Sequence, residues 1–202
     1  MLDVDIRDFL PKKSPPMTFR KFMSFINLPE NEDKKFELVE GYVVAMSSPT
    51  SNHQRISFEI ARQIGNYLIG KKCEVFMDLN VHLFQNSKSK RKNVYRPDVF
   101  VGCDPNKATS RGYEGAPEWI VEVVSKSSSR YDYFVKCMMY MNYGVKEYWV
   151  VDIFNNHIIA HQIPDKNTHV VGTYTFDDRI KVGIFDDLFI DFKEVLPLIS
   201  NE

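Results

Sequence analysis

The sequence is poor in several things that would each define a class of protein. Only three cysteines occur, Cys73, Cys103 and Cys137, an odd number with no C-x-x-C spacing. Neither a disulfide framework nor a zinc ribbon is therefore expected, and a reducing, cytoplasmic setting fits best. No apolar run approaches the ~18 residues of a membrane-spanning helix. Residues 1–16 mix acidic, basic and proline residues without a secretory apolar core, so neither export nor a membrane partner is expected. Charge of one sign is also missing: 26 Lys and Arg face 27 Asp and Glu, for a net charge of −1. Such a chain has no global attraction for polyanions, so any phosphate binding must come from a local patch. The nucleotide loops G-x-x-x-x-G-K-S/T and G-x-G-x-x-G are absent, which leaves a nucleotide cofactor unsupported. There is no H-E-x-x-H zinc helix and no G-x-S-x-G elbow, which argues against a zinc protease and a serine hydrolase.

What is present is ordinary globular material, 44% hydrophobic and 26% charged over 202 residues, enough for one domain with a sizeable core. Residues 1–16 read as an arm ending in Pro15-Pro16, and residues 17–202 as a single domain. Thr18 offers an N-cap for a short helix carrying Phe19, Phe22, Met23 and Ile26. Phe36 to Val39 and Tyr42 to Met46 read as strands hinged at Glu40-Gly41. Asn52 can cap a helix through about Ile69, with Ile56, Ile60, Ile64 and Leu68 on one stripe and Phe58, Ala61 and Tyr67 widening it. Lys88, Lys90, Arg91 and Lys92 lie in a loop, as a solvated tip or a phosphate contact.

The centre of the pattern is a pair of apolar strands, each holding one carboxylate: Asp98 at the head of Val99-Phe100-Val101, and Glu122 within Trp119 to Val124. An ionised group in an apolar run costs several kcal/mol unless a cation or a set of donors compensates it. Two in neighbouring strands suggest a shared cation, and a hard ion such as Mg²⁺ takes one or two carboxylates with water and phosphate oxygens. The alternative is an acidic strand end that is merely solvated or paired with lysine. After the second strand, Ser125, Lys126, Ser128 and Arg130 make a polar entry to a helix, a place where free N–H groups attract phosphate. An ordinary serine N-cap explains the serines equally well. In that helix Phe134, Cys137, Met138 and Met141 read as the core stripe, with Asp132 and Lys136 one turn apart on another face, where a simple (i, i+4) ion pair is the competing account.

Pro97-Asp98, Glu122-Val123-Val124-Ser125, the helix with Asp132 and Lys136, and Gly144 to Asp152 together resemble the Uma-type branch of the PD-(D/E)XK nuclease superfamily. Phe36 to Gly41 and Ser48 to Gln54 also match that pattern, and the likeness covers about residues 17–162. The resemblance implies an α/β, restriction-endonuclease-like fold: a mixed central sheet flanked by helices, with antiparallel strands added toward the C-terminus. It implies a metal-dependent endonuclease hydrolysing phosphodiester bonds in DNA with Mg²⁺, or Mn²⁺ as a substitute. Asp98 and Glu122 would be metal ligands, with the Val123 carbonyl and Glu37 joining them. The superfamily's lysine position after the second carboxylate is Val124 here, which points to Lys136 as the residue assisting the attacking water. His53 matches the family's histidine at the start of the long helix, for a phosphate contact or for holding a loop. The family has proline where this chain has Lys126 and threonine where it has Ser128. A homodimer spanning a duplex is a natural expectation for a chain with so little net charge. The rivals are a catalytically silent nucleic-acid-binding or assembly protein on the same fold, and a hydrolase acting on RNA or small phosphoesters.

Overall fold

Thr18 accepts a hydrogen bond from the Lys21 amide and opens α1 (Phe19–Ile26), whose Phe22 is fully buried. β1 (Phe36–Val39) and β2 (Tyr42–Ala45) follow as a hairpin. Its turn residues Glu40 and Gly41 both have positive φ, 50° and 88°, the pairing that matches the right-handed twist of the strands. The computed structural model describes residues 15–84, 93–125, 128–165 and 168–198. The basic loop of Lys88 to Lys92, Lys126 and nearly all of the N-terminal arm lie outside the described residues.

α2 (Ser51–Leu68) is capped by Thr50, whose hydroxyl accepts from the His53 amide; Asn52, the cap expected from the sequence, lies inside the first turn. Ile56, Ile60, Ala61, Ile64 and Leu68 form the buried stripe. Phe58, expected to widen it, is 61% exposed. Two residues from both Ile56 and Ile60, it points about 200° away from each.

Six strands form the sheet that α2 covers: β3 (Glu74–Met77), β6 (Val99–Gly102), β9 (Trp119–Val123), β10 (Glu147–Asp152), β11 (His157–Asp165) and β12 (Thr168–Tyr174). Their spatial order is β12-β11-β10-β9-β6-β3, with β9 and β10 parallel and the other neighbours antiparallel. This is the mixed central sheet that the resemblance implies; a second six-stranded sheet is not implied by it. The latter combines β1 and β2 with β4 (Val81–Leu83), β5 (Asn93–Tyr95), β7 (Ala108–Thr109) and β8 (Gly112–Glu114). The two sheets meet where the Tyr113 ring lies on the Gly102 backbone, so closely that a Cβ at position 102 would overlap the ring.

Side-chain alternation along the strands builds a core on each face of the larger sheet. Val99, Val101, Trp119, Val121, Val123, Trp149 and Val151 face α2. The same core takes Phe176, Ile180, Val182, Leu188, Ile190, Phe192 and Val195 from the last part of the chain. That part holds β13 (Arg179–Lys181) paired with β14 (Phe189–Asp191), then α4 (Phe192–Val195). It is tied down by Glu147, a fully buried carboxylate that accepts from the Gly183 amide (3.0 Å), the Ile184 amide (2.9 Å) and Trp149 Nε1 (2.7 Å). Phe100, Ile120, Val124, Tyr148 and Val150 face the other way, onto the helix that begins π-helical at Tyr131–Lys136 and continues as α3 (Cys137–Tyr143).

One expectation about cysteine is overturned. Cys73 and Cys103 form a disulfide, with Cα atoms 4.0 Å apart. The β3–β6 register, Glu74 opposite Gly102, sets the two residues facing each other one step beyond the ladder. A sequence separation of 30 gives no hint of that juxtaposition.

Candidate active site

β6 and β9 run antiparallel with Val99 opposite Val121, which sets Asp98 level with Glu122 at one end of the sheet. Asp98 turns its Oδ2 toward β9, where the Val123 amide donates at 2.8 Å and His53 Nε2 lies at 3.1 Å. His53 arrives from the first turn of α2, on the opposite face of the sheet from α3. Glu122 alternates with Val121 and Val123 and therefore points away from α2 into the α3 face. β1 supplies Glu37 by the same logic, its side chain directed with Val39 toward the site while Leu38 packs with α1.

The helix behaves differently from its sequence pattern. Phe134 and Met138, expected in the core, are 60% and 38% exposed. The buried residues are Asp132, Val135, Lys136, Met139 and Tyr140, together with Cys137, expected in the core. The polar ones turn inward because their partners are already there. Lys136 Nζ stands 2.9 Å from Glu122, 3.3 Å from Asp132 and 3.4 Å from Glu37. Tyr140 donates to Glu122 at 2.9 Å and Tyr131 donates to Glu37 at 2.8 Å, while the Arg96 amide donates to the other Glu37 oxygen. These tyrosines are the functional candidates the sequence does not single out; the trace Tyr140 leaves is the i, i+4, i+8 series Asp132, Lys136, Tyr140. The π-helical stretch carrying Asp132 and Lys136 is an irregularity frequently found at functional sites. It is held to the β10–β11 turn by Tyr133, whose hydroxyl bonds Asp152 (2.8 Å) and His157 (2.7 Å). Tyr148 adds a bond from its hydroxyl to the Asp132 carbonyl.

Among the described residues, charge in this pocket is unbalanced. Three buried carboxylates surround one buried ammonium, and Asp98 adds a fourth at the rim. Burial disfavours the charged form of Lys136, but Glu122, Glu37 and Asp132 outweigh it and hold the amine protonated well above its ordinary range. Burial pushes the Glu122 and Asp132 carboxyls upward against the pull of Lys136, and the neighbouring carboxylates add to the rise. Tyr131 and Tyr140 are likewise pushed up by burial and by Glu37 and Glu122, so both stay neutral hydroxyl donors. For His53, burial opposes the charged form, yet the bond and charge of Asp98 raise it overall. Solvent reaches this group through His53 and Asp98, whose side chains are 13% and 17% exposed, whereas Lys136 and its three partners are at most 4% exposed.

The donor set has the chemistry of a hard divalent cation site: oxygen ligands in excess of the positive charge available to them. It is not an all-protein cage. Among the described residues, no three His, Cys, Asp or Glu side chains are grouped to hold an ion by themselves. A metal here would rest on one or two carboxylates, the Val123 carbonyl and water. The residues expected to meet phosphate are less gathered. Ser125 and Ser128 bond each other, hydroxyl to hydroxyl at 2.8 Å and amide to hydroxyl at 3.1 and 3.2 Å, as a local turn would. Arg130 is exposed, and Lys126 lies outside the described residues.

Comparison with known proteins identifies the fold and the family. A solved structure from Anabaena variabilis, described as "a putative nuclease belonging to DUF820", superposes with a TM-score of 0.71 over 91% of this chain and 99% of its own, at 19% identity, and so shares the fold. "Uncharacterized protein slr1290" of Synechocystis sp. is 28% identical over 173 residues, covering 84% of this chain and 88% of the relative. "Uncharacterized protein sll1609" of the same organism is 23% identical over 142 residues, covering 68% of this chain and 77% of the relative. The sequence pattern of the Uma2 family, described as "Putative restriction endonuclease", matches residues 22–191, well past the limit near residue 162 that the motifs alone suggest. The chain with Asp98, Glu122 and Lys136 at one sheet end therefore belongs to the Uma2 family of restriction-endonuclease-like proteins.

Proposed function

We propose that this protein is a metal-dependent endonuclease that hydrolyses phosphodiester bonds in DNA. The observation that carries the reading is the meeting of Asp98, Glu122, Glu37 and Lys136, from two strands, the residue before a third, and a helix, at one end of the sheet. Asp98, Glu122 and the Val123 carbonyl would hold Mg²⁺ or Mn²⁺, with Glu37 joining directly or through water. The metal would supply Lewis acidity and lower the pKa of its bound water. Lys136, held charged, has three protons to donate and no lone pair to accept one, so its role is to orient the attacking water and offset phosphate charge rather than to deprotonate. His53 and Asp98 form the wet rim, the side from which a phosphate would approach.

One observation favours a second reading, a silent binding protein on the same fold: Lys136, Glu122, Glu37 and Asp132 satisfy one another in a nearly sealed network. Plasmid cleavage with Mg²⁺ or Mn²⁺, beside Asp98→Asn and a metal-free control, separates the two. Nicking that needs metal and disappears in the variant supports the nuclease. An intact plasmid at every metal concentration, with no metal bound in a parallel titration, supports the silent protein.

A further inference from the structure

His161 on β11 and His169 on β12 take no part in the carboxylate site. Their rings are stacked, with centroids 5.2 Å apart and planes 22° apart, and His161 Nδ1 and His169 Nε2 share a hydrogen bond at 3.0 Å whose proton a bound ion would replace. We infer that this pair is a second metal site, a two-imidazole chelate for a borderline transition ion of the Ni²⁺ or Cu²⁺ class. Two metal–nitrogen bonds of ~2.1 Å meeting at a right angle span about 3.0 Å, and at a tetrahedral angle about 3.4 Å. The observed separation is that of adjacent corners of a square-planar or octahedral ion, geometries that suit Ni²⁺ and Cu²⁺. Tetrahedral Zn²⁺ requires the rings to part by a few tenths of an ångström.

Three features prepare the site. The hairpin register, His161 opposite Val171, brings His169 diagonally across from His161 on the same face of the sheet. The Tyr148 ring stacks against the inner face of His161, centroids 6.0 Å apart, and limits its rotation. His169 is exposed, so an ion can reach the pair from solvent. Imidazole nitrogen is a poor partner for Mg²⁺, which prefers oxygen, so this site and the carboxylate site select different ions. Tyr148 also donates to the Asp132 carbonyl, placing the chelate one ring away from the π-helical stretch.

The test uses the full-length, tag-free, ¹⁵N-labelled protein titrated with substoichiometric NiCl₂, read by paramagnetic broadening of amide signals. Broadening centred on positions 161 and 169 is expected, retained in Asp98→Asn and in excess Mg²⁺. Both His161→Ala and His169→Ala should lose it, with at least a tenfold fall in Ni²⁺ affinity. His169 is exposed, so His169→Ala leaves the fold intact and keeps the test decisive. Broadening confined to the region of Asp98 and His53, broadening unchanged in His169→Ala, or none at one equivalent overturns the assignment.

Discussion

Replacing Lys136 by methionine keeps most of the side-chain volume and removes the cation that Glu37, Glu122 and Asp132 share. Breaking a buried ion pair from one side costs about 3–5 kcal/mol, because the partners stay buried without compensation. In a domain of this size that is a fall in Tm of roughly 6–20 °C. The carboxyls of Glu122 and Asp132 are already raised by burial, so the folded state takes up protons more readily than the unfolded chain. Groups of that kind weaken the fold above their folded pKa, and the penalty is relieved as pH falls through it. Without Lys136 their pKa values rise further, and the Tm deficit of Lys136→Met should be larger at about pH 8 than at about pH 5. Adding Glu122→Gln to Lys136→Met should restore part of the loss, since it removes one uncompensated charge. Calorimetric scans of wild type, both single variants and the double variant at both pH values provide the measurement. A Lys136→Met protein that melts within about 2 °C of wild type at the higher pH, where an uncompensated buried charge demands a far larger fall, would refute the electrostatic account of this site.

Tyr133→Phe removes the hydroxyl that bonds Asp152 and His157; it should cost about 0.5–1.5 kcal/mol and speed amide hydrogen exchange in residues 152–157. Gly102→Ala drives a methyl group into the Tyr113 ring, with an expected loss of about 1–3 kcal/mol in urea unfolding that Tyr113→Leu in the same chain should reduce. Reducing the Cys73–Cys103 bond, or replacing Cys73 by serine, should lower unfolding free energy by about 2–4 kcal/mol, and dithiothreitol should then have no further effect on the serine variant.

Much of this arrangement is legible in the sequence because it rests on local periodicity. Asp98 and Glu122 stand out as charges inside apolar runs, and the strand alternation that sends Glu122 away from Val121 and Val123 follows from a period of two. The helix around Lys136 departs from its sequence pattern for a physical reason. Apolar residues are ordinarily assigned to the core, but carboxylates arriving from other elements make the buried face the favourable place for Asp132 and Lys136, and Phe134 and Met138 are turned outward. Sequence periodicity cannot register partners that come from β1 and β9. The disulfide and the division of strands between two sheets are hidden in the same way, since each depends on which distant strands pair.

The docking of the last strands onto Glu147 and the α2 core bears on the order in which this protein can mature during synthesis. The fully buried residues of the α3 face, from Val39 to Val150, have all been made before β11 begins, and Ile159 of β11 packs against them. The α2 face is completed only by Phe176 through Val195, so the part of that core which they cover stays open to water or to chaperones until they are translated. A ribosome pausing before residue 176 would hold a chain with one finished face and one incomplete, its Glu147 carboxylate lacking the Gly183 and Ile184 amides.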